Sequence, residues 1–423
     1  MRVVVRTLGC KVNQCDSDRL AELLARAGFD VGPDAAGVAA DVYVVNTCTV
    51  TGASDKKSAQ ALRKARRRNP GAVVAACGCL ANRRAGLPDG LGLDFVFDAR
   101  NPEGFIGELE RLRAANPEAG GPAGALAGRT RAFVKAQDGC RRFCAYCIVP
   151  YARGPSVSRA KADVLREISR RIEAGAREVV LTGVDLASYC DAGGGGFAEL
   201  LREALLLPGM FRLRLSSIGP GMVDADFLAA AAVGGKLCQH FHLPLQSGSD
   251  AVLSKMKRDY TAESYAAAVG GLRRLFPGAA ITTDAMVGFP GESERCFLDT
   301  YSLAEKTGFA DMHVFEYSKR NGTEAALYSG QIPDGEKKER SRKLLGLARE
   351  MKQAFLESLV GKPLEVLFEN GAGGLSREYA RVDVRGGAQP KNAVRRVLAE
   401  KAADGRIVGS VDGLAGPPDR DAN

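Results

Sequence analysis

Three cysteines within eight residues, Cys140, Cys144 and Cys147 in KAQDGCRRFCAYCIVPYARG, form the most informative stretch of the sequence. Three thiolates on one loop can hold three irons of a cubane 4Fe-4S cluster and leave the fourth iron without a protein ligand, open to a substrate or cofactor. The competing reading is zinc, but a closed structural zinc site takes four ligands, and no histidine lies nearby to complete this one. A second set is dispersed. Cys10 follows one strand-like run (TLGCKVNQ), Cys48 the next (VVNTCTV) and Cys79 a third (VAACGCLAN), at spacings of 38 and 31 residues. In an open parallel sheet the carboxyl ends of the strands share one edge, so these cysteines can converge there as a second triad. Strand-end cysteines also serve as inert small apolar side chains, and Cys77 is the one rival to Cys79. Cys15, Cys77, Cys190, Cys238 and Cys296 read as buried bystanders.

The elements that must carry these residues follow from length and pattern. A chain of 423 residues divided by about 150 per domain gives roughly 2.8, hence two to four compact units. The first third alternates β-rich and amphipathic helical runs, the signature of an open parallel α/β sheet. Residues 2–7, 41–46 and 72–77 read as strands, and Asp16 or Ser17 can cap a helix that buries Leu20, Leu23, Leu24 and Ala27 and ends at Gly28. Residues 114–129, rich in Gly, Ala and Pro, read as a linker. From about 131, six βα-type units (RAFVKA, REVVLTG, FRLRLSS, HFHLPL, ITTDAMVG, MHVFEYS) predict a partial barrel of parallel strands, with chemistry at its C-terminal face. A charged helix near 334–358 follows, then short β-like runs separated by glycines that fit a small β-barrel. The expected domains are therefore 1–125, 130–358 and 361–415, with the tail GPPDRDAN frayed.

Composition bounds the function class. With 45% hydrophobic and 26% charged residues the chain is an ordinary globular one. No apolar run approaches the ~18 residues that cross a bilayer, and MRVVVRTLGC lacks the layout of a signal peptide, so a cytoplasmic location away from membranes is expected. Eleven cysteines against three histidines, in a compartment that disfavours disulfides, point to metal or redox chemistry. The net charge of +9 permits a polyanionic partner. Its densest part is KKSAQALRKARRR (56–68), seven cations without an acid, which is either a solvated helix or a phosphate-contacting one through Lys56, Lys57, Arg63, Arg66 and Arg67.

The CxxxCxxC spacing with Tyr146 before its last cysteine resembles the radical S-adenosylmethionine superfamily. With the dispersed triad, and with LTGVDLASY, RLRLSSIGP, HLPLQSGSDAVLSKMKRDY, DAMVGFPGE and FEYSKRNGT in order, nearly the whole chain resembles the methylthiotransferases within it. The resemblance implies a C-terminal TRAM domain that binds RNA, S-adenosylmethionine on the open iron at Cys140, Cys144 and Cys147, and an auxiliary 4Fe-4S cluster at Cys10, Cys48 and Cys79 that carries or donates sulfur. TLGCKVNQCDSD and the cluster loop look most like the branch acting on N6-threonylcarbamoyladenosine beside the tRNA anticodon; methylthiolation of isopentenyladenosine or of a ribosomal-protein aspartate are the alternatives. A non-catalytic iron–sulfur RNA-binding or electron-transfer protein is the distant one. Asp185, Cys190 and Cys15 depart from the usual pattern of that branch. An external one-electron donor and a sulfur source are implied as further partners.

Around the cofactor, Tyr146, Thr182, Gly183, Gln246 and Ser247 are the candidates, with Gly288, Pro290, Gly291 and Glu292 either functional or a rigid turn. His242 reads as a core or polar-network residue, or as a contact to cofactor or substrate. Arg153, Arg159, Lys319 and Arg320 are candidates for tRNA phosphates or the threonyl carboxylate. Tyr379, Arg381, Arg385, Arg395 and Arg396 are the RNA-binding candidates of the C-terminal barrel.

Overall fold

The structure is a computed structural model that describes residues 1–32, 39–83, 87–115 and 130–411. The expected linker lies outside them apart from Ala114 and Ala115, and the tail from 412 lies wholly outside. The chain divides into two compact units: Met1–Gly128 with Asp138–Val157 and Ser318–Ala326, and Arg129–Gln137 with Ser158–Tyr317 and Leu327–Asn423. The cysteine loop therefore packs with the N-terminal sheet, a grouping that cuts across the expected 130–358 segment.

The first unit opens with β1 (Arg2–Thr7), α1 (Lys11–Arg26), β2 (Asp30–Gly32), β3 (Val42–Thr47), α2 (Gly52–Arg68), β4 (Val73–Cys77), α3 (Gly78–Asn82), β5 (Phe95–Val96) and α4 (Glu103–Ala115). The strands form one parallel sheet in the order β2-β1-β3-β4-β5. Alternate residues feed two cores: Val3, Val42, Val44 and Ala75 on one face, and Val4, Tyr43, Val45 and Val74 on the other. This two-sided burial is why VYVVNT is apolar almost throughout. Helix α1 begins at Lys11, with Cys10 as its N-cap, rather than at Asp16 or Ser17. Asp16 is buried within the helix and ion-paired there, so it cannot serve as a cap. Gly28, at φ +82°, follows the helix end as expected.

The second unit holds β6 (Arg131–Lys135) and, after the short β7 (Gln137–Asp138), α5 (Val149–Arg153) and β8 (Val157–Ser158) of the cysteine region, continues with α6 (Lys161–Glu173), β9 (Glu178–Thr182), α7 (Phe197–Leu206), β10 (Arg212–Leu215), α8 (Ala225–Ala231), β11 (His240–His242), α9 (Asp250–Lys255), α10 (Ala262–Leu275), β12 (Ala280–Val287), α11 (Glu294–Thr307) and β13 (Asp311–Glu316). Strands β6, β9, β10, β11, β12 and β13 are parallel neighbours in that order, the two three-stranded sheets being joined by bridges Leu213–Leu237 and Ser217–His242. This is the expected partial barrel. Val179, Leu181, Leu213, Leu215 and Ile281 pack outward with helix residues such as Val164, Ile168 and Leu200. The intervening Glu178, Arg212, Arg214, His240 and Thr282 take the opposite, inner face.

Helix α12 (Asp334–Leu359) leads to β14 (Pro363–Asn370), β15 (Gly373–Ser376), β16 (Arg381–Arg385), β17 (Val394–Ala403) and β18 (Arg406–Val411), a closed barrel in the order β14-β15-β16-β18-β17. Its core of Leu364, Val366, Phe368, Val382, Val397 and Ile407 includes Leu356 and Leu359 of α12. A buried ion cluster docks it on the N-terminal ends of the half-barrel strands. Glu178 Oε2 and Oε1 accept from Arg212 Nε at 2.7 Å and Arg214 Nε at 2.9 Å. Four further guanidinium hydrogens go to the carbonyls of Glu365, Leu375, Ser376 and Arg377 at 2.7–3.0 Å. Burial alone would raise Glu178, but the two arginines outweigh it and lower its pKa to about 2.

Candidate functional site

The dispersed triad forms where β1, β3 and β4 hand over to the following helices. Gly9, at φ +101°, brings the chain so close to Cys48 that an added Cβ would lie 3.1 Å from its Sγ. Asn13, one turn into α1, donates to the carbonyls of Leu8 at 2.7 Å and Thr47 at 3.0 Å, tying the residues before Cys10 and Cys48 together. Its Oδ1 lies 4.0 Å from Cys10 Sγ and 3.7 Å from Cys79 Sγ. Gly78, at φ +84°, lets α3 start at once after β4 and turns Cys79 toward the other two. Cys77 instead is fully buried in the sheet core, where desolvation drives its thiol far above the ordinary value, so it is no rival.

Burial pushes the Cys79 thiol up to about 11, and the charge of Arg153 works against that rise. Arg153 is 4% exposed and donates to Asn13 Oδ1 at 2.5 Å, Asp16 Oδ2 at 2.9 Å and Asp138 Oδ1 at 2.8 Å. Burial disfavours its charge, yet Cys79, Asp16 and Asp138 hold it protonated. Three soft donors beside a buried cation suit an anionic iron–sulfur cluster. Among the described residues no three ligating side chains gather closely enough for a single metal ion.

The compact triad rests on a tight loop. Gly139, at φ +70°, has Pro155 O at 2.0 Å from where a Cβ would stand, so only glycine fits. Cys140 N donates to Gly154 O at 3.1 Å, Arg142 N to Cys140 Sγ at 3.4 Å and Cys147 N to Cys144 O at 2.8 Å. Phe143 takes φ +46°, and its exposed ring meets Tyr151 edge-on at 5.6 Å. Three cysteine sulfurs on one loop, one of them met by a backbone amide, fit the donor set of a 4Fe-4S cluster with one open iron. Ala145 O accepts from Ala325 N at 2.8 Å, and Ala152 O from Asn82 Nδ2 at 3.1 Å. Tyr146, between Cys144 and Cys147, is half-buried.

In the half-barrel, Thr182 ends β9 fully buried, its carbonyl accepting from Ala136 N at 2.9 Å. A Cβ on Gly183 would stand 2.7 Å from Leu186 and 3.0 Å from Gln137 Oε1, so glycine is sterically required there. Gln246 takes φ +63° and bridges Asp284 O and Met286 N through its backbone, which leaves the amide side chain half-buried at the strand end. Ser247 is fully buried with Oγ 3.1 Å from Thr300 Oγ1 of α11, a helix-anchoring contact. Glu292 accepts from Gly288 N at 2.7 Å and pairs with buried Arg340 at 2.6 Å, so the GFPGE segment is a braced turn.

Several expectations change. Arg153 and Arg320 are buried, Arg320 Nη2 donating to Thr49 Oγ1 at 2.8 Å and Asp55 at 2.6 Å, and Arg159 is engaged by Glu167 and Lys135 O; of the four anion-binding candidates Lys319 stays exposed. Arg66 is bound to Asp94 and to the carbonyls of Gly92, Pro70 and Ala72, which removes it from the phosphate candidates. Lys56, Lys57, Arg63 and Arg67 are exposed opposite the buried stripe of Ala59, Leu62 and Ala65. Tyr379 stacks on His240 at 4.2 Å with Arg214 5.0 Å from its centroid, so its ring takes part in the docking of the C-terminal barrel while the residue stays exposed. Arg381, Arg385 and Arg396 are exposed, and Arg395 is half-buried.

Sequence reasoning missed Asn13, Asp16 and Asp138; the signal was there in one polar turn after Cys10 and one acid just before Gly139. It also missed that the three histidines form one network. His240 Nε2 and His242 Nδ1 both lie 3.0 Å from Thr282 Oγ1, and Asp284 meets His242 at 3.3 Å and His313 at 3.2 Å. Burial would raise Asp284, but these two histidines hold it well below the usual carboxylate range.

Comparison with known proteins fits this geometry. Residues 2–89 match the uncharacterized protein family UPF0004, and residues 134–304 match the radical SAM superfamily. The Bacillus subtilis (strain 168) protein named threonylcarbamoyladenosine tRNA methylthiotransferase MtaB is 36% identical over 383 residues, covering 87% of this chain and 84% of its own. A Thermotoga maritima protein of the same name is 36% identical over 377 residues, with 87% and 86% covered. An Anaeromyxobacter sp. (strain Fw109-5) protein named tRNA-2-methylthio-N(6)-dimethylallyladenosine synthase is 38% identical over 431 residues, with 95% and 90% covered. Among solved structures, the radical S-adenosylmethionine methyltransferase TsrM of Kitasatospora setae, with cobalamin and a 4Fe-4S cluster bound, aligns with a TM-score of 0.56 at 16% identity over 77% of each chain, a likeness of fold. Fold and cysteine geometry thus define a radical SAM protein with a second cysteine triad. The chain belongs to the family of tRNA methylthiotransferases.

Proposed function

We propose that this enzyme adds a methylthio group to C2 of N6-threonylcarbamoyladenosine next to the tRNA anticodon, giving the 2-methylthio derivative. The observation that carries the reading is that two three-cysteine sites stand in one compact unit, linked through Asn13 and Arg153. C2 of adenine bears a hydrogen with no acidity that a side-chain base can exploit, so positioning and exclusion of water are the protein's tasks and a cofactor must supply the chemistry. When bound, a 4Fe-4S cluster with one open iron and S-adenosylmethionine supply one-electron activation of such a C–H bond, and a second cluster supplies sulfur.

Cys140, Cys144 and Cys147 would hold the first cluster and Cys10, Cys48 and Cys79 the second. Thr182, Gly183 and Gln246, at strand ends of the half-barrel, and Tyr146 on the loop are the residues proposed to meet S-adenosylmethionine. Ser247 acts behind them by fixing the loop on α11. The exposed cations of α2 and of the C-terminal TRAM-like barrel, Arg381 first among them, would hold the anticodon stem-loop through its phosphates. Among the described residues no helix is long and apolar enough to cross a membrane; a cytoplasmic site of action, an external one-electron donor and an external sulfur source complete the proposal. Domain limits of 1–125, 130–358 and 361–415 are proposed for the sequence modules.

A second reading, methylthiolation of isopentenyladenosine-type residues, is favoured by the higher identity and coverage of the Anaeromyxobacter relative. Nucleoside analysis of tRNA from a deletion strain decides between them. Loss of 2-methylthio-N6-threonylcarbamoyladenosine is expected, and its persistence with loss of the isopentenyl counterpart would overturn the assignment.

A further inference from the structure

Arg153 closes helix α5, which follows the compact triad, yet its guanidinium reaches the dispersed one. Nη2 donates to Asn13 Oδ1 at 2.5 Å and to Asp16 Oδ2 at 2.9 Å, while Nη1 donates to Asp138 Oδ1 and Oδ2 at 2.8 and 3.0 Å. Asn13 in turn holds the residues before Cys10 and Cys48 and lies against Cys10 and Cys79, as described above. Asp138 also accepts from Gly139 N at 2.8 Å, on the residue before Cys140. The arginine's own carbonyl is held by Arg100 Nη1 at 2.5 Å, and Arg100 chelates Asp98. Every donor of this side chain that reaches a partner is committed within the protein, none of it to solvent, since the residue is 4% exposed.

We propose that Arg153 is a positioning residue for the methylthiolation reaction: it locks the two cysteine triads to each other and supplies the buried positive charge that eases addition of an electron at the dispersed-triad cluster. Asp16 and Asp138 are two buried or half-buried anions facing this one cation, and a thiolate-ligated cluster adds further negative charge. Without the guanidinium, an added electron would face Asp16 and Asp138 with less positive charge beside it, at a site shielded from water where charge interactions are weakly screened. Lysine can replace the charge but not the fork that reaches Asn13, Asp16 and Asp138 together.

The proposal rests on both triads holding clusters, and one anaerobic experiment separates the two claims. Iron is counted in the reconstituted full chain, and the dispersed-triad cluster is titrated by EPR in a background in which Cys140, Cys144 and Cys147 are alanine. About eight irons are expected for the wild type and about four for that background; four in the wild type overturns the two-cluster reading and this proposal with it. In Arg153→Gln the ratio of reduced to oxidised cluster at fixed solution potential should fall at least tenfold, about 59 mV for a one-electron couple. With the loop cysteines intact, 5'-deoxyadenosine released per methylthiolated nucleoside should rise, because the triads are no longer held together. Arg153→Lys should keep the wild-type potential but not the wild-type ratio. Asp16→Asn, which removes an anion and leaves the arginine, should shift the potential the opposite way and decides the matter if Arg153→Gln loses its iron. Wild-type potential and ratio in an eight-iron Arg153→Gln protein, or shifts of the same sign in Arg153→Gln and Asp16→Asn, would overturn the proposal.

Discussion

Cys140, Cys144 and Cys147 occupy eight consecutive residues whose course is set by Gly139 at φ +70° and Phe143 at φ +46°, whereas Cys10, Cys48 and Cys79 are collected from three β–α junctions by a parallel sheet. The compact site is therefore a property of one loop, and the dispersed site a property of strand order and register. In the second, Val42 must pair with Val3 and Val73 with Val42 before the three thiols share an edge. A local site tolerates change elsewhere and fails when its own turn fails; a convergent one fails when the sheet or its cross-ties do.

The sharpest test of that contrast separates the two triads by their products. Cys144→Ala should reduce both 5'-deoxyadenosine release and methylthiolation to background, while Cys10→Ala should abolish methylthiolation and leave 5'-deoxyadenosine release near the wild-type rate. Equal loss of both products in Cys10→Ala would merge the two sites into one function. Next in size are the glycines. Gly139→Ala puts a Cβ 2.0 Å from Pro155 O and should cost the loop cluster its iron, whereas Gly78→Ala, 2.1 Å from Asn46 Oδ1 and 2.6 Å from Thr47 O, should cost the dispersed one. Gly154→Ala, at φ +73° with open space around it, is the control at roughly 1–2 kcal/mol in chemical unfolding.

Outside both triads, Glu178→Gln should destabilise the second unit by roughly 3–5 kcal/mol, because two buried guanidiniums lose their anion, while iron content stays unchanged. Its wild-type pH dependence has a defined sign. With Glu178 lowered from 4.5 to about 2, its contribution is complete above about pH 4.5 and is lost as pH falls toward 2. Thermal melts of wild type and variant should therefore converge in acid, and parallel melting curves down to pH 2 would rule the ion cluster out as the cause. The smallest effect belongs to α2. Replacing Lys56, Lys57, Arg63 and Arg67 by glutamine should flatten the dependence of log affinity for tRNA on log salt by about 0.7–0.9 for each phosphate left without its cation, with iron and 5'-deoxyadenosine release untouched.

Much of this is legible in the residues alone. The parallel sheet, six βα-type units, the long helix and the closed terminal barrel follow from apolar periodicity that each segment carries in itself. Arg153 reads locally as a candidate for tRNA phosphates or the threonyl carboxylate because it is a cation close after the cysteine loop. Its acceptors Asn13 and Asp16 lie 140 and 137 residues away in the chain, a distance no local pattern spans. Tyr379 shows the same dependence, since His240 from a different element stacks on one face of its ring while the residue stays exposed. Arg66 shows the converse within a single helix: its neighbours Arg63 and Arg67 point to solvent, and only the arrival of Gly92 and Asp94 removes it from the basic face.

What the sequence determined by itself is the donor chemistry and the local turns: thiols at CxxxCxxC spacing, glycines where no Cβ fits, and strands whose apolar residues leave a polar edge for ligands. Tertiary structure alone decided that Cys79 stands with Cys10 around Asn13 while Cys77 turns into the sheet core, and that the Arg153 guanidinium is buried against Asn13, Asp16 and Asp138. The physical reason is that burial and charge pairing depend on desolvation by distant elements, a free energy that exists only once those elements have packed.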